Sequence, residues 1–198
     1  MLIRLENNNT DKIKESKISI KSYRTIRVAT SAILIAVGLV LSYLNPFAYF
    51  TLFGTKINPF AHLINAISGV LLGTIFALVV ALGIAILRFS LGIGTIHAFH
   101  GGMSGALVVG LVSRFLWHRK IEKVEIAAFF EPLGTVFIGG TIAYLIAPFG
   151  GISVFEGLLI YWGLFAASCI PGSILGYIIL IVLKRSGISR ENFIESPH

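Results

Sequence analysis

Long apolar runs alternate with short polar segments along most of this chain. Five runs stand out because they carry few charged residues, and they cover 28–44, 57–87, 95–117, 126–147 and 157–183. One helix over the second run would be about 46 Å long at 1.5 Å per residue, whereas the hydrocarbon core of a bilayer is about 30 Å thick. The pattern therefore predicts membrane-spanning helices, with the run 57–87 either strongly tilted or broken in two.

The positions of the basic residues decide between these two alternatives. Lys and Arg accumulate in cytoplasmic loops, so three basic clusters on the same side must be separated by even numbers of crossings. This parity requires two helices in 57–87, with a break near Gly69–Gly73, and six helices in total with both termini cytoplasmic. The clusters are Arg4, Lys12, Lys14, Lys17, Lys21, Arg24 and Arg27; Arg114, Arg119, Lys120 and Lys123; and Lys184, Arg185 and Arg190.

Composition supports an all-α membrane protein, a six-helix bundle in the plasma membrane. The chain is 56% hydrophobic and 13% charged, with a mean hydropathy of +0.88, whereas soluble domains are roughly a quarter charged. The net charge of +7 would suggest nucleic acid in a soluble protein, but here the charges mark loops, and no nucleic-acid partner is expected. The predicted domains are a basic cytosolic arm at 1–27, a transmembrane unit at 28–185 and a cytosolic tail at 186–198.

Polar side chains gather at the predicted outer ends of the helices, most densely in ILRFSLGIGTIHAFHGG at 86–102. Arg88 ends the third helix, and His97 and His100 begin the fourth. His62 and Asn65 share a face of the second helix because they are three residues apart. Polar groups in membrane segments usually face the bundle interior or water, so we expect one pocket open to the outside. Its predicted binding residues are His62, Asn65, Arg88, His97, His100, Tyr144, Glu156 and Trp162.

This set of side chains suits a small heteroaromatic ligand with ring acceptors and a polar tail. Imidazole and amide groups donate and accept hydrogen bonds, Arg88 adds a fixed positive fork, and Tyr144 and Trp162 supply flat apolar walls. Two alternatives stay open on the residues alone. Arg88 can instead pair with Glu156, and His97 and His100 with a third ligand such as His62 can hold zinc, nickel or cobalt.

Several sequence signatures are missing from the chain. There is no G-x-x-x-x-G-K-[ST] loop for ATP and no G-x-S-x-G or H-E-x-x-H sequence, and no cofactor is expected. Glu131 is the one ionisable group placed deep in a membrane segment, near the predicted inner end of the fifth helix beside Pro132. The expectation is a non-enzymatic binding protein whose transport energy comes from a partner. An intramembrane enzyme using its histidines as acid–base groups is the less favoured alternative.

Two segments carry a specific family resemblance. NPFAHLINAISGVLLG at 58–73 and LRFSLGIGTIHAFHGGMSGALVVGL at 87–111 resemble the ThiW family. This family consists of S components, the substrate-binding subunits of energy-coupling factor (ECF) transporters, and is associated with thiamine biosynthesis. The resemblance covers roughly 25–185 and implies six helices around an outward-facing pocket, capped by the loop after the first helix.

The resemblance also implies a ligand and partners. The expected ligand is hydroxyethylthiazole, the thiazole precursor of thiamine. The expected partners are a transmembrane coupling protein, two ABC-type ATPases and the surrounding lipid. Ala32 and Ala36 match the small-xxx-small pair by which the first helix of related S components docks on the coupling protein. The alternative is an S component for hydroxymethylpyrimidine, thiamine, nickel or cobalt, although thiamine is a cation and suits a pocket with Arg88 poorly.

Overall fold

The computed structural model describes residues 2–46, 51–52, 55–146 and 157–195. Six helical segments cross or enter the bundle within these ranges, and two very short strands, β1 and β2, pair antiparallel between the first two helices. The elements in chain order are α1 (Leu2–Tyr43), β1 (Thr51–Leu52), β2 (Thr55–Lys56), α2 (Pro59–Leu71), α3 (Thr74–Ser90), α4 (His97–His118), a 3-10 helix (Val124–Phe130), a π-helix (Leu133–Gly140), α5 (Thr141–Ile146), α6 (Gly157–Arg185) and a last 3-10 turn (Arg190–Asn192).

Four of these segments are long and apolar enough to span a membrane. They are Ser22–Tyr43, His97–His118, Val124–Ile146 and Gly157–Arg185. The helices α2 and α3 are shorter apolar helices of 13 and 17 residues. The prediction of an all-α bundle of six helices is therefore confirmed for the described residues. Helix α1 runs through residue 27 without interruption, so the change at the end of the predicted arm is one of composition and not of secondary structure.

The predicted break in the run 57–87 lies between α2 and α3. Helix α2 begins at Pro59 because the side chain of Asn58 accepts a hydrogen bond from the backbone N–H of Ala61 at 3.3 Å and proline suits the first helical turn. It is followed by only two residues, Leu72 and Gly73. Gly73 adopts a φ of +80°, a left-handed conformation that glycine reaches without a steric penalty. The chain therefore reverses there in a tight connection.

Helix α2 lies at the centre of the bundle. All its residues except Phe60 are buried, and it packs against α1, α3, α4, α6 and the 3-10 helix at Val124–Phe130. The approach of α6 is close because Gly176 faces Ala66 across the interface, where a β-carbon at Gly176 would lie 2.6 Å from that of Ala66. A side chain placed on α2 is thus surrounded by protein.

The fifth segment changes its winding along its length. It begins as a 3-10 helix, turns into a π-helix after Pro132 and ends as α5. Such π-helical turns are rare and occur frequently at functional sites. Small residues here allow α4 to approach closely, since a β-carbon at Gly139 would lie 2.8 Å from the α-carbon of Gly101. The segment thereby brings Glu131 and Thr135 against α4 and α2.

Candidate ligand-binding site

A cavity opens between four helices, at the end that the basic clusters predict to be the outer one. Its volume is about 40 Å³, below the roughly 300–1,000 Å³ of typical small-molecule sites, so a heteroaromatic ligand has to widen it by moving side chains of the wall. The helices α2, α3, α4 and α6 each contribute to its wall, together with the segment before α2. The polar residues of the wall are Lys56, Asn58, His62, Asn65, Arg88, Thr95, His97 and Ser168, and the others are Ala61, Ala81, Ile84, Ala85, Ala98, Gly101, Gly102 and Phe165.

A buried imidazole–carboxylate pair lies behind this wall. The Nδ1 atom of His62 is 2.6 Å from Oε1 of Glu131, whose side chain is fully buried. The same oxygen accepts hydrogen bonds from Thr135 Oγ1 at 2.7 Å and from Asn65 Nδ2 at 3.3 Å. Charge-assisted hydrogen bonds are short, and a buried carboxylate requires such donors. The pair therefore fixes the orientation of the His62 ring against the cavity.

One nitrogen of His62 remains for a ligand. Nδ1 is engaged by Glu131, and no other hydrogen bond of the ring is present within the described residues. The other ring nitrogen, Nε2, donates or accepts a hydrogen bond according to the tautomer of the ring. His62 lines the cavity and thus presents one oriented ring nitrogen to it.

His97, His100 and Phe165 form an aromatic group beside the cavity. His97 Nδ1 lies 3.0 Å from His100 Nε2, and the ring of His100 stacks on Phe165 with centroids 5.9 Å apart and planes at 22°. His97 meets the same phenyl ring edge-on at 6.3 Å. Phe165 and His97 line the cavity, whereas His100 lies behind them. Phe165, which the sequence analysis did not select, is thus the aromatic residue at the wall.

Arg88 is the buried cation of the site. It is 6% exposed, and its Nε atom has no hydrogen-bond partner among the described residues. Its backbone oxygen accepts from the N–H groups of Ile93 and Gly94, which ties the end of α3 to the following turn. Lys56 on β2 reaches the same turn, since its Nζ donates to Gly92 O at 3.1 Å. A guanidinium with a free donor at a cavity wall favours a ligand that carries an acceptor.

The structure brings together most of the residues predicted for the pocket. His62, Asn65, Arg88 and His97 line the cavity, and His100 contacts His97. Tyr144 and Trp162 lie outside this wall and pack against the apolar cluster that contains Phe165. Trp162 donates through Nε1 to Thr141 Oγ1 at 3.1 Å. Glu156 lies outside the described residues.

The position of Glu131 differs from the expectation drawn from the sequence. It was placed near the inner end of the fifth helix, whereas His62 was placed at an outer end, and the two side chains are in contact. Helix α2 has only 13 residues, about 20 Å at 1.5 Å per residue, against a hydrocarbon core of about 30 Å. Its first turn, with His62, therefore lies inside the bundle, and the 3-10 helix before Glu131 adds only about 3.5 Å of extra rise. The sequence does show that Glu131 is an isolated acid in an apolar run, and a buried acid needs a hydrogen-bond donor as its partner.

The histidines do not assemble into a metal site. Within the described residues, no group of three or more His, Cys, Asp or Glu side chains is arranged to hold an ion. The Nδ1 atom of His62 contacts Glu131, and the Nδ1 atom of His97 contacts His100 Nε2. The arrangement thus offers separate polar groups among apolar residues of the wall.

Comparison with known proteins gives one result. A family model described as "Thiamine-precursor transporter protein (ThiW)" matches residues 28–186, which is most of the chain. No curated protein and no solved structure gives a match. The matched range begins in α1 and ends just after α6, so it contains every helix that forms the cavity.

Proposed function

This chain belongs to the ThiW family of thiamine-precursor transporters, and from this premise we propose that it is the substrate-binding S component of an ECF-type importer. Its ligand in this proposal is hydroxyethylthiazole. The protein captures the ligand in the cavity between α2, α3, α4 and α6 and releases it without making or breaking a covalent bond. The observation that carries the proposal is the His62–Glu131 pair at 2.6 Å, which leaves one oriented ring nitrogen of His62 facing a cavity lined by both polar and apolar residues.

The chemistry of the wall suits a thiazole. The ring nitrogen of a thiazole accepts a hydrogen bond, and His62 Nε2 supplies the donor in the tautomer that carries a hydrogen there. The flat ring packs against Phe165, on which the ring of His100 stacks. In the proposal Arg88 and His97, which line the cavity, bind the hydroxyl tail. Asn65 holds the site together, because its Nδ2 donates to both Gly102 O and Glu131 Oε1.

Charge argues against thiamine itself as the favoured ligand. The cavity wall contains Lys56 and Arg88, and within the described residues the one carboxylate beside it is that of Glu131, whose Oε1 already contacts His62, Asn65 and Thr135. A cationic thiazolium would therefore enter a site without a free counter-charge. Hydroxymethylpyrimidine is neutral and carries ring acceptors, and it is the ligand against which thiazole specificity has to be measured.

The coupling partner in this proposal docks on α1. Ala32 and Ala36 are both exposed, and Ile33, Val37 and Val40 are exposed on the same helix. The apolar window of α1 is only 17% buried, against 33–50% for the other three spanning segments. Small residues four apart allow another helix to approach closely in a membrane. This open face suits the transmembrane coupling protein, which in turn binds two ABC-type ATPases.

The decisive experiment is isothermal titration of the purified full-length protein. We expect saturable binding of hydroxyethylthiazole at concentrations well below about 1 mM, with weaker binding of hydroxymethylpyrimidine and thiamine. Substituting Arg88→Gln should weaken the binding, whereas Arg119→Gln, which removes an exposed charge far from the cavity, should not. Absence of any heat with hydroxyethylthiazole, alongside clear binding of another precursor, would refute the ligand assignment.

A further inference from the structure

A second cavity lies at the opposite end of α3. It is bounded by α1, the start of α3, the end of α4 and the segment after α6, and it holds about 1180 Å³ of empty space open to the surroundings. Helix α3 separates it from the ligand cavity, because one contains Thr74 and the other Arg88, about 21 Å apart at 1.5 Å per residue. The second cavity therefore lies at the end that the basic clusters predict to be cytoplasmic.

The wall of this second cavity is strongly basic. Four arginines from three separate parts of the chain meet there, together with His118 and a single carboxylate, that of Glu195. None of the four forms an ion pair with a carboxylate among the described residues. The four are Arg24, Arg27, Arg114 and Arg190.

The guanidinium of Arg190 is buried in the wall of this cavity. The residue is 5% exposed, and its Nη1 donates to Val70 O at 2.5 Å and to Ser113 Oγ at 3.0 Å, so the guanidinium is fixed in place. Burial, with the nearby charges of Arg27 and Arg114, lowers the pKa of Arg190 to about 10. Arginines that line one cavity repel one another, and a bound anion relieves this repulsion.

The donors that an occupant of this cavity can reach are its exposed guanidinium groups. Arg24 and Arg114 line the cavity and are both exposed, and a guanidinium offers several N–H donors in a planar fork. The side chains of Arg24 and Arg114 therefore suit an occupant rich in acceptor oxygens.

We propose that this second cavity binds a phosphate-bearing anion, namely the headgroup of an anionic phospholipid of the cytoplasmic leaflet. Phosphate supplies several acceptor oxygens and pairs with arginine forks, and basic pockets between membrane helices on the cytoplasmic side suit such headgroups. The rim favours a lipid over free phosphate because it is apolar. Ile75 lines the cavity and is 75% exposed, and Ile26 and Val28 are exposed on the adjoining helix, so acyl chains have a surface to lie on.

Trp117 provides a direct readout of occupancy. The chain has two tryptophans, so Trp162→Phe leaves Trp117, in the cavity wall, as the single fluorophore. The full chain carrying this substitution is placed in nanodiscs of phosphatidylcholine to which phosphatidylglycerol is added in steps. In a parallel arm, inorganic phosphate is added to the pure phosphatidylcholine discs. We expect a saturable change in Trp117 fluorescence with phosphatidylglycerol.

The variants separate a built site from general surface charge. The double substitution Arg24→Gln, Arg114→Gln removes two exposed charges of the cavity, and Arg119→Gln, Lys123→Gln removes two exposed charges at the same end but outside it. At about 1 kcal/mol per basic residue near an anionic surface, the first pair should weaken the response about 10- to 30-fold and the second should leave it nearly unchanged. The single substitutions Arg24→Gln and Arg114→Gln serve if the double variant does not fold.

The outcomes are distinct. Saturation by phosphatidylglycerol that the cavity variants weaken supports the proposal, and saturation by inorganic phosphate with the same sensitivity supports the anion site while identifying free phosphate as its occupant. No saturable response to either, or equal weakening by both double variants, would overturn it. The result does not depend on hydroxyethylthiazole, so it stands or falls separately from the proposed transport function.

Discussion

The Nδ1 atom of His62 lies 2.6 Å from Oε1 of Glu131, although the two residues are 69 positions apart in the chain. This contact joins the central helix α2 to the irregular fifth segment. It lies directly behind the cavity wall, because His62 lines the cavity and Glu131 does not. The orientation of the ligand-facing imidazole therefore depends on a residue that a ligand does not reach.

The coupling between these two side chains can be measured by a double-mutant cycle. We expect His62→Gln and Glu131→Gln to be non-additive in the free energy of unfolding by about 1–3 kcal/mol, since each leaves the other buried group without its partner. Unfolding is followed in detergent for the two single variants and the double variant. Glu122→Gln is the control, because Glu122 is exposed and forms no ion pair within the described residues, so its substitution should change the free energy of unfolding by less than about 0.5 kcal/mol. Additive effects at His62 and Glu131 would mean that the contact is not energetically coupled.

Gly105 should not tolerate a side chain. A β-carbon at this position would collide with Glu131 Oε1 and with Thr135 Oγ1. We expect Gly105→Ala to destabilise the protein by about 1–3 kcal/mol and to lower ligand affinity, because the carboxylate that orients His62 must move. Gly163→Ala on α6 is the control, since nothing lies within 4 Å of its β-carbon and alanine favours a helix by about 0.5–1 kcal/mol. Melting temperatures of the two variants should shift in opposite directions.

Phe165 should contribute to ligand affinity through its ring. Phe165→Leu keeps an apolar side chain but removes the surface on which a heteroaromatic ligand stacks. Such aromatic contacts are worth about 0.5–1.5 kcal/mol, so the dissociation constant for hydroxyethylthiazole should rise about 3- to 10-fold. Phe129→Leu removes a ring that packs on Tyr177 away from the cavity and should leave the dissociation constant unchanged. Equal effects of the two substitutions would indicate a general loss of packing.

Enlarging the small residues of α1 should separate binding from transport. Ala32→Leu and Ala36→Leu fill the exposed face without touching the cavity. We expect unchanged titration of hydroxyethylthiazole, together with loss of uptake of the labelled compound and loss of co-purification with the coupling protein. Val37→Leu enlarges a neighbouring exposed residue and should retain both. Normal uptake by the Ala32 and Ala36 variants would place the docking surface elsewhere.

The sequence predicts the helices well because the bilayer imposes their length and charge pattern. The break within 57–87 follows from the parity of the basic clusters, and it occurs within the expected interval, at Gly73. Arg24, Arg114 and Arg190 come from the three clusters and meet in one cavity. The basic clusters in the sequence therefore predict which helix ends lie at the same end of the bundle. The orientation relative to the membrane remains a prediction.

The details of the site are less accessible to sequence because they depend on winding and side-chain direction. Hydropathy does not show that the short helix α2 begins inside the bundle, so the contact between His62 and Glu131 is not predicted from the sequence. Phe165 is one of many aromatic residues in an apolar run, and nothing in its spacing marks it. Tyr144 and Trp162 pack against the apolar cluster that contains Phe165 and do not line the cavity, and a role for them in binding stays a prediction.

Helix α2 has 13 residues, about 20 Å at 1.5 Å per residue, and is therefore some 10 Å shorter than a typical hydrocarbon core. Its neighbours enclose it almost completely. A thicker or thinner bilayer changes the tilt of helices that contact lipid. It does not act directly on a helix that is surrounded by other helices of the protein. The ring nitrogen that His62 presents to the cavity is thus insulated from hydrophobic mismatch, and in the proposed function a ligand reaches it by descending below the membrane surface.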